Sequence, residues 1–214
     1  MGRLVLVRHG QAEGNTEHRF IGQSDVPLTE IGRSQAEAVG LRLRGAEISR
    51  VVSSDLVRAS DTAAAIAAVS GHSVDVEPAI REIHNGEWVG LTPTDIETGW
   101  PDLWSRYRGG EDVPRPGGER WADVRERSVA VFRRLLKLDG VTVVVSHGGP
   151  IIIGAHWATG QTVTGNVFRG PLGAVQNTSI TVIDPGPKLT AFNDVGHLDP
   201  FAGFEVPDAP VSAS

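Results

Sequence analysis

The stretch VTVVVSHGGP, Val141 to Pro150, begins as a β-branched run and then places a serine, a histidine and two glycines where the apolar run stops. An unalternating run of this kind suits a strand buried on both faces, and such strands sit inside parallel sheets covered by helices. The first element of the chain repeats the behaviour, because LVLVRHGQ, Leu4 to Gln11, ends its apolar run in Arg8, His9 and Gly10. Ligands of open parallel sheets bind beyond the carboxyl ends of the strands, where the connections diverge. If the two strands are neighbours, His9 and His147 face each other there. The glycine after each, Gly10 and Gly148, lets backbone approach a ligand closely.

Around these strands, helical and strand patterns alternate as in an α/β fold. Thr29 is placed to cap a helix over EIGRSQAEAVGLRL, and SRVVSS, Ser49 to Ser54, reads as a second short strand. The alanine-rich RASDTAAAIAAV is a helix ended near Gly71, and HSVDVEP is an edge strand closed by Pro78. Thr92 and Pro93 have the form of an N-cap and first turn, and GGEDVPRPGG, Gly109 to Gly118, is a loop. ERWADVRERSVAVFRRLLKLD is a long amphipathic helix with Trp121, Val124, Phe132 and Leu135 on one face, ended by Gly140. Pro150 is expected to begin another helix, and SITVID and LTAFN flank a Pro-Gly-Pro turn as a late hairpin. Residues 1–200 read as one domain and residues 201–214, rich in Pro, Ala and Ser, as a frayed tail.

Composition limits the partners. At 214 residues with 40% hydrophobic content, the chain can bury one substantial core. Its formal net charge is -6 and its basic residues are scattered, which argues against nucleic acid. It has no cysteine, so disulfides and thiolate metal sites are excluded. It shows no signal-peptide pattern and no apolar run of membrane-spanning length, so a soluble, cytoplasmic protein without a membrane partner is expected. An edge strand leaves a homodimer open.

A pair of strand-end histidines beside arginines favours an anion over a metal. Metal sites recruit carboxylates or thiolates near their histidines, and Arg8 beside His9 repels a cation. Arg8 offers a planar fork of donors suited to phosphate, and SSDLVRASDTA supplies a second, Arg58, at the start of a helix that follows a strand. Asn15, in the loop after His9, can add an uncharged donor. Two arginines, two imidazoles and an amide make a pocket for a phosphoryl group.

RHGQAEGN resembles the signature of the histidine phosphatase superfamily, also called the phosphoglycerate mutase-like family. The resemblance continues in order through GQSDVPLTEIGRSQA, VVSSDLVRASDTA, REIHNGEWVGL, PGGE and VVVSHGG. It implies a three-layer α/β/α sandwich with a mostly parallel central sheet. It also implies a phosphohistidine enzyme, with His9 as nucleophile and Arg8, Asn15, Arg58 and His147 holding the phosphoryl oxygens. Glu82, in REIHNGEW, is implied to be the proton donor. HRFIGQSDVPLT resembles the loop through which substrate enters, where Gly22 and Gln23 can reach the phosphate or the rest of the substrate.

The chemistry supports these assignments. Phosphoryl transfer needs an in-line nucleophile and neutralisation of three equatorial oxygens, and the arginines supply the positive charge without a metal or other cofactor. Neutral His9 can attack through one ring nitrogen while the other is tethered, as by a carbonyl in the Gly10 turn. Glu82 can protonate the departing alkoxide and then take a proton from the attacking water. His84, two residues from Glu82, is either a substrate contact or, the favoured reading, an exposed loop histidine, and His18, His72, His156 and His197 read as structural or solvated. Glu87 and Trp88 either close this loop or, for Glu87, provide a spare acid. Arg106, Arg108 and Arg115 are either a solvated face or a patch for a second anionic group.

Rival classes fit less of the chain. GHSVD lacks the second glycine of a serine hydrolase's nucleophile elbow, and its Ser73 starts a strand instead of ending one. GGPIIIGAH lacks the lysine and hydroxyl residue of a nucleotide-binding P-loop. A non-catalytic phosphate-binding module would be free to lose His9 or Glu82, and both are present. A phosphoglycerate mutase needs a closed site with extra basic residues. Here the segment between Glu82 and the long helix lacks the longer, basic insertion of the family's mutases. A phosphomonoesterase acting on a small phosphorylated metabolite is therefore expected.

Overall fold

The computed structural model describes residues 2–14, 19–161 and 163–201. Its centre is a six-stranded sheet of β1 (Arg3–Arg8), β2 (Ile48–Ser53), β3 (Val74–Val76), β4 (Val141–Ser146), β5 (Ile180–Asp184) and β6 (Lys188–Asp194), in the order β3-β2-β4-β1-β5-β6. The four strands from β3 to β1 run parallel, whereas β5 and β6 join as an antiparallel hairpin. The helices are α1 (Glu30–Arg42), α2 (Val57–Ser70), α3 (Pro93–Gly99), α4 (Pro101–Arg108), α5 (Trp121–Leu135) and α6 (Gly148–Ala158).

Side-chain alternation along the central strands builds the layers. Val5 and Val7 of β1 join Val143 and Val145 of β4 in a core shared with Val39 of α1 and Ala59, Ala63 and Ile66 of α2. Leu4, Leu6 and Val144 point the other way, into a core with Phe132 and Leu135 of α5 and Ile151 and Ile152 of α6. A third, smaller core of Trp88, Ile96, Trp104, Tyr107 and Val113 forms between β3 and α5. This is the expected three-layer α/β/α sandwich. In the β1–β4 register Arg8 lies beside Ser146, so His9 and His147 occupy equivalent positions one residue beyond neighbouring parallel strands.

Local signals set most element ends. The Thr29 hydroxyl accepts from the Gly32 amide at the start of α1, and Thr92 with Asp95 forms a full capping box on α3. Gly71 ends α2 with φ +72°, a conformation that costs glycine little. Two boundaries and one whole helix stand out from expectation. The long helix ends at Leu135, and the turn that follows reaches Gly140 before β4 begins. α6 starts at Gly148, with His147 as N-cap, because the first helical amides have no intrahelical partner and Pro150 is tolerated inside that turn. α4 was not anticipated, although Pro101 at its first position carries the usual signal. The frayed tail expected at residues 201–214 lies outside the described residues from 202 onward.

Candidate active site

The carboxyl ends of β1, β2 and β4 bring Arg8, His9, Ser54 and His147 together, and the first turn of α2 adds Arg58. The two imidazoles lie with ring centroids 5.1 Å apart and planes inclined by 58°. His9 Nδ1 is 2.7 Å from the Gly10 carbonyl oxygen, which can only accept, so this nitrogen carries the proton. Its Nε2 is thereby an acceptor and receives Arg58 Nε at 3.2 Å. Arg58 also donates to the carbonyls of Gly22 and Ser24, each at 2.7 Å, and Arg8 donates to that of Val175 at 2.6 Å. The Asn177 amide holds the His9 carbonyl at 2.9 Å.

All four charged or ionisable groups of this cluster are buried. Burial first, then the positive charge of Arg58 and Arg8, holds His9 well below the ordinary histidine range. His147 is held down in the same way, by burial, Arg58, His9 and Arg8. Burial also lowers Arg8 and Arg58 to about 10, with the Glu82 carboxylate opposing the shift in both. At neutral pH the cluster therefore presents two neutral imidazoles and two guanidinium cations.

Glu82 reaches the cluster from the segment after β3. Its carboxylate accepts from its neighbour's amide, Ile83, at 2.8 Å and from Gly149 at 3.1 Å, the latter in the first turn of α6. The positive end of that helix favours negative charge there. A Cβ on Gly149 would stand 2.5 Å from Glu82 Oε1 and from the Trp121 ring, so only glycine permits this approach. Arg127 of α5 clamps the segment by donating to the carbonyls of Ala79, Arg81 and Glu82 while paired with Glu119.

Most expected site residues thus converge: Arg8, His9, Arg58, Glu82, His147 and, at the start of α6, Gly148. Asn15 and His18 lie outside the described residues. Gly22 contributes its carbonyl to Arg58. Gln23 spends its amide on the Glu82 carbonyl at 2.9 Å and so braces the acid's backbone. His84 is exposed, as expected, and so is Glu87, whereas Trp88 is fully buried. Of the three arginines around the glycine-rich loop, Arg106 pairs with Glu111 at the surface and Arg108 is exposed. Arg115 leaves the expected group: it is 2% exposed, with its guanidinium 5.0–5.9 Å from the ring centroids of Trp121, Tyr107 and Trp88. Ser54, Arg127, Gly149 and Asn177 were not singled out in the sequence. SHGG held the one available clue, the second glycine.

An α/β sandwich that gathers two imidazoles, two guanidiniums and a carboxylate beyond its parallel strands has the make-up of a phosphoryl-transfer enzyme. The profile of the histidine phosphatase superfamily (branch 1) matches residues 4–196, and the chain belongs to that family. It is 37% identical over 158 residues to glucosyl-3-phosphoglycerate phosphatase of Mycolicibacterium vanbaalenii, covering 70% of each chain. It is 36% identical over 152 residues to a probable phosphoglycerate mutase, GpmB, of Yersinia pestis, covering 69% of this chain and 70% of that one. The native structure of mycobacterial glucosyl-3-phosphoglycerate phosphatase superposes with a TM-score of 0.77 at 33% identity, over 89% of this chain and 98% of that one. The expected enzyme class, a hydrolase removing phosphate from a small phosphorylated metabolite, holds. Among the described residues no helix is long and apolar enough to cross a membrane.

Proposed function

We propose that the chain hydrolyses phosphomonoesters of small, hydroxylated carboxylic acids, of the kind named for its glucosyl-3-phosphoglycerate phosphatase relatives, through a phosphohistidine at His9. The observation that carries this reading is the pinned His9 ring, its proton held by Gly10 and its Nε2 aimed at Arg58. Phosphoryl oxygens take over the N–H groups of Arg58 and Arg8, which frees the Nε2 lone pair for in-line attack on phosphorus. As the N–P bond forms, the ester P–O bond breaks and protonated Glu82 gives its proton to the leaving alkoxide. Water then attacks the phosphohistidine, losing a proton to the Glu82 carboxylate, and inorganic phosphate departs as His9 recovers its lone pair.

The segment between Glu82 and α5 favours hydrolysis over the mutase reaction. It folds around its own aromatic core, its Arg115 is caged by rings, and its Arg106 is paired with Glu111. It therefore offers few free cations to retain a bisphosphorylated intermediate. The test compares phosphate release from phosphoglycerates, sugar phosphates and glucosyl-3-phosphoglycerate with 3- to 2-phosphoglycerate interconversion in the presence of the bisphosphate primer. Release is expected to dominate. Interconversion much faster than any hydrolysis would overturn the proposal.

A further inference from the structure

We propose that Ser54 is a positioning residue for the second histidine: its hydroxyl donates to His147 Nε2 and fixes the ring in the tautomer whose Nδ1–H faces the phosphoryl group. Ser54 is fully buried just beyond β2, with its Oγ 2.9 Å from His147 Nε2. The same Oγ accepts from the Leu56 amide at 3.4 Å. Leu56 N–H can only donate, so among these two partners Nε2 alone can take the hydroxyl proton. The position of Ser54 is fixed independently. Its carbonyl accepts from the hydroxyls of Ser53 at 2.8 Å and Ser60 at 3.2 Å, and its amide donates to Val145 at 3.0 Å.

The ring's other nitrogen points to the consequence. His147 Nδ1 is buried and has no hydrogen-bond partner among the described residues. Burial and the neighbouring arginines keep the imidazole neutral, so it has a single N–H to offer. With Nε2 accepting, that N–H is on Nδ1, where a phosphoryl oxygen would satisfy it. His9 and His147 stand at equivalent positions on neighbouring strands. An acceptor beside His9 Nδ1 makes its Nε2 a lone pair for attack, whereas a donor beside His147 Nε2 makes its Nδ1 a hydrogen-bond donor.

The role rests on the phosphatase reading, but its test does not require turnover. Two-bond nitrogen correlation spectra of the phosphate-free enzyme at neutral pH report the tautomer of each ring, with the His147 signals assigned by their loss in His147→Gln. The native enzyme should show His147 as a single neutral Nδ1–H tautomer. Ser54→Ala should give a mixture or the Nε2–H form and weaken vanadate binding about tenfold, the effect of one lost hydrogen bond in a buried site. Ser54→Thr, which keeps the hydroxyl, should restore both. A native His147 protonated on Nε2, or an unchanged Nδ1–H signal in folded Ser54→Ala, would overturn the assignment whatever the enzyme's activity.

Discussion

Two regions flank Glu82, and they are built on opposite principles. The floor of the site, at the ends of β1, β2 and β4, is polar, buried and held by hydrogen bonds to backbone: Gly10 on His9, Val175 on Arg8, Gly22 and Ser24 on Arg58. The flank, residues 86–118 with Phe20, is an apolar unit of its own. Phe20, Trp88, Trp104 and Tyr107 meet with ring centroids 5.3–6.1 Å apart, mostly edge to face, around the Arg115 cation. Arg115 also packs on Trp121, which closes against Gly149 and so connects the flank to Glu82. A floor fixed by directional bonds tolerates little change, whereas a flank held by nondirectional packing can vary its surface while keeping its core. On the proposed function, phosphate chemistry would belong to the first and discrimination among leaving groups to the second.

The largest expected effect breaks the floor. His9→Ala should lower turnover by at least about a thousandfold, as expected when a covalent nucleophile is lost, while circular dichroism stays native. Rapid quench of the unmodified enzyme with a good substrate should find an acid-labile phosphate on His9, and most activity surviving in the variant would dismiss the assignment. Glu82→Gln sharpens the boundary between the regions. It should slow substrates with alkoxide leaving groups by about 10²–10³-fold but nitrophenyl phosphate far less, because a good leaving group needs no acid. Equal losses on both substrates would assign Glu82 a different role.

Trp104→Ala tests the flank. It should cost about 3–5 kcal/mol in urea unfolding, the usual penalty for truncating a buried tryptophan. Nitrophenyl phosphate turnover by the folded fraction should stay within a few-fold of the native rate, whereas a collapse of that rate would show the two regions to be one unit. The smallest effect concerns pH. His9 and His147 titrate well below their unfolded value of 6.5, so between the two values the unfolded chain binds protons that the native one does not. Stability should therefore fall as pH drops below 6.5, by up to about 1.4 kcal/mol per pH unit for each histidine. Urea midpoints across pH 5–7 measure this, and His9→Gln should reduce the slope by one proton's worth.

The floor was far more legible in the sequence than the flank. Strand-end histidines, the arginine in the first turn of α2 and the Gly71 stop are local patterns, and each fell where its pattern predicted, whereas α5 ended at Leu135, short of Gly140. The flank betrayed only Thr92, Pro93, Pro101 and the glycine-rich loop. The burial of Arg115 depends on Trp88, Tyr107 and Trp121, which share no short-range period.

By itself, the sequence determined the α/β layering, the strand ends that carry His9 and His147, and the arginines that stand beside them, because hydrophobic period and turn chemistry act over a few residues; the pairing of β1 with β4 came only with the fold. Only the tertiary structure decided who holds whom. Ser54 meets His147 across 93 residues, Arg127 grips the Glu82 carbonyl across 45, and Gln23 braces that carbonyl across 59. Whether a buried imidazole offers a lone pair or a proton depends on which partner stands beside each nitrogen, and chain folding selects that partner from distant segments.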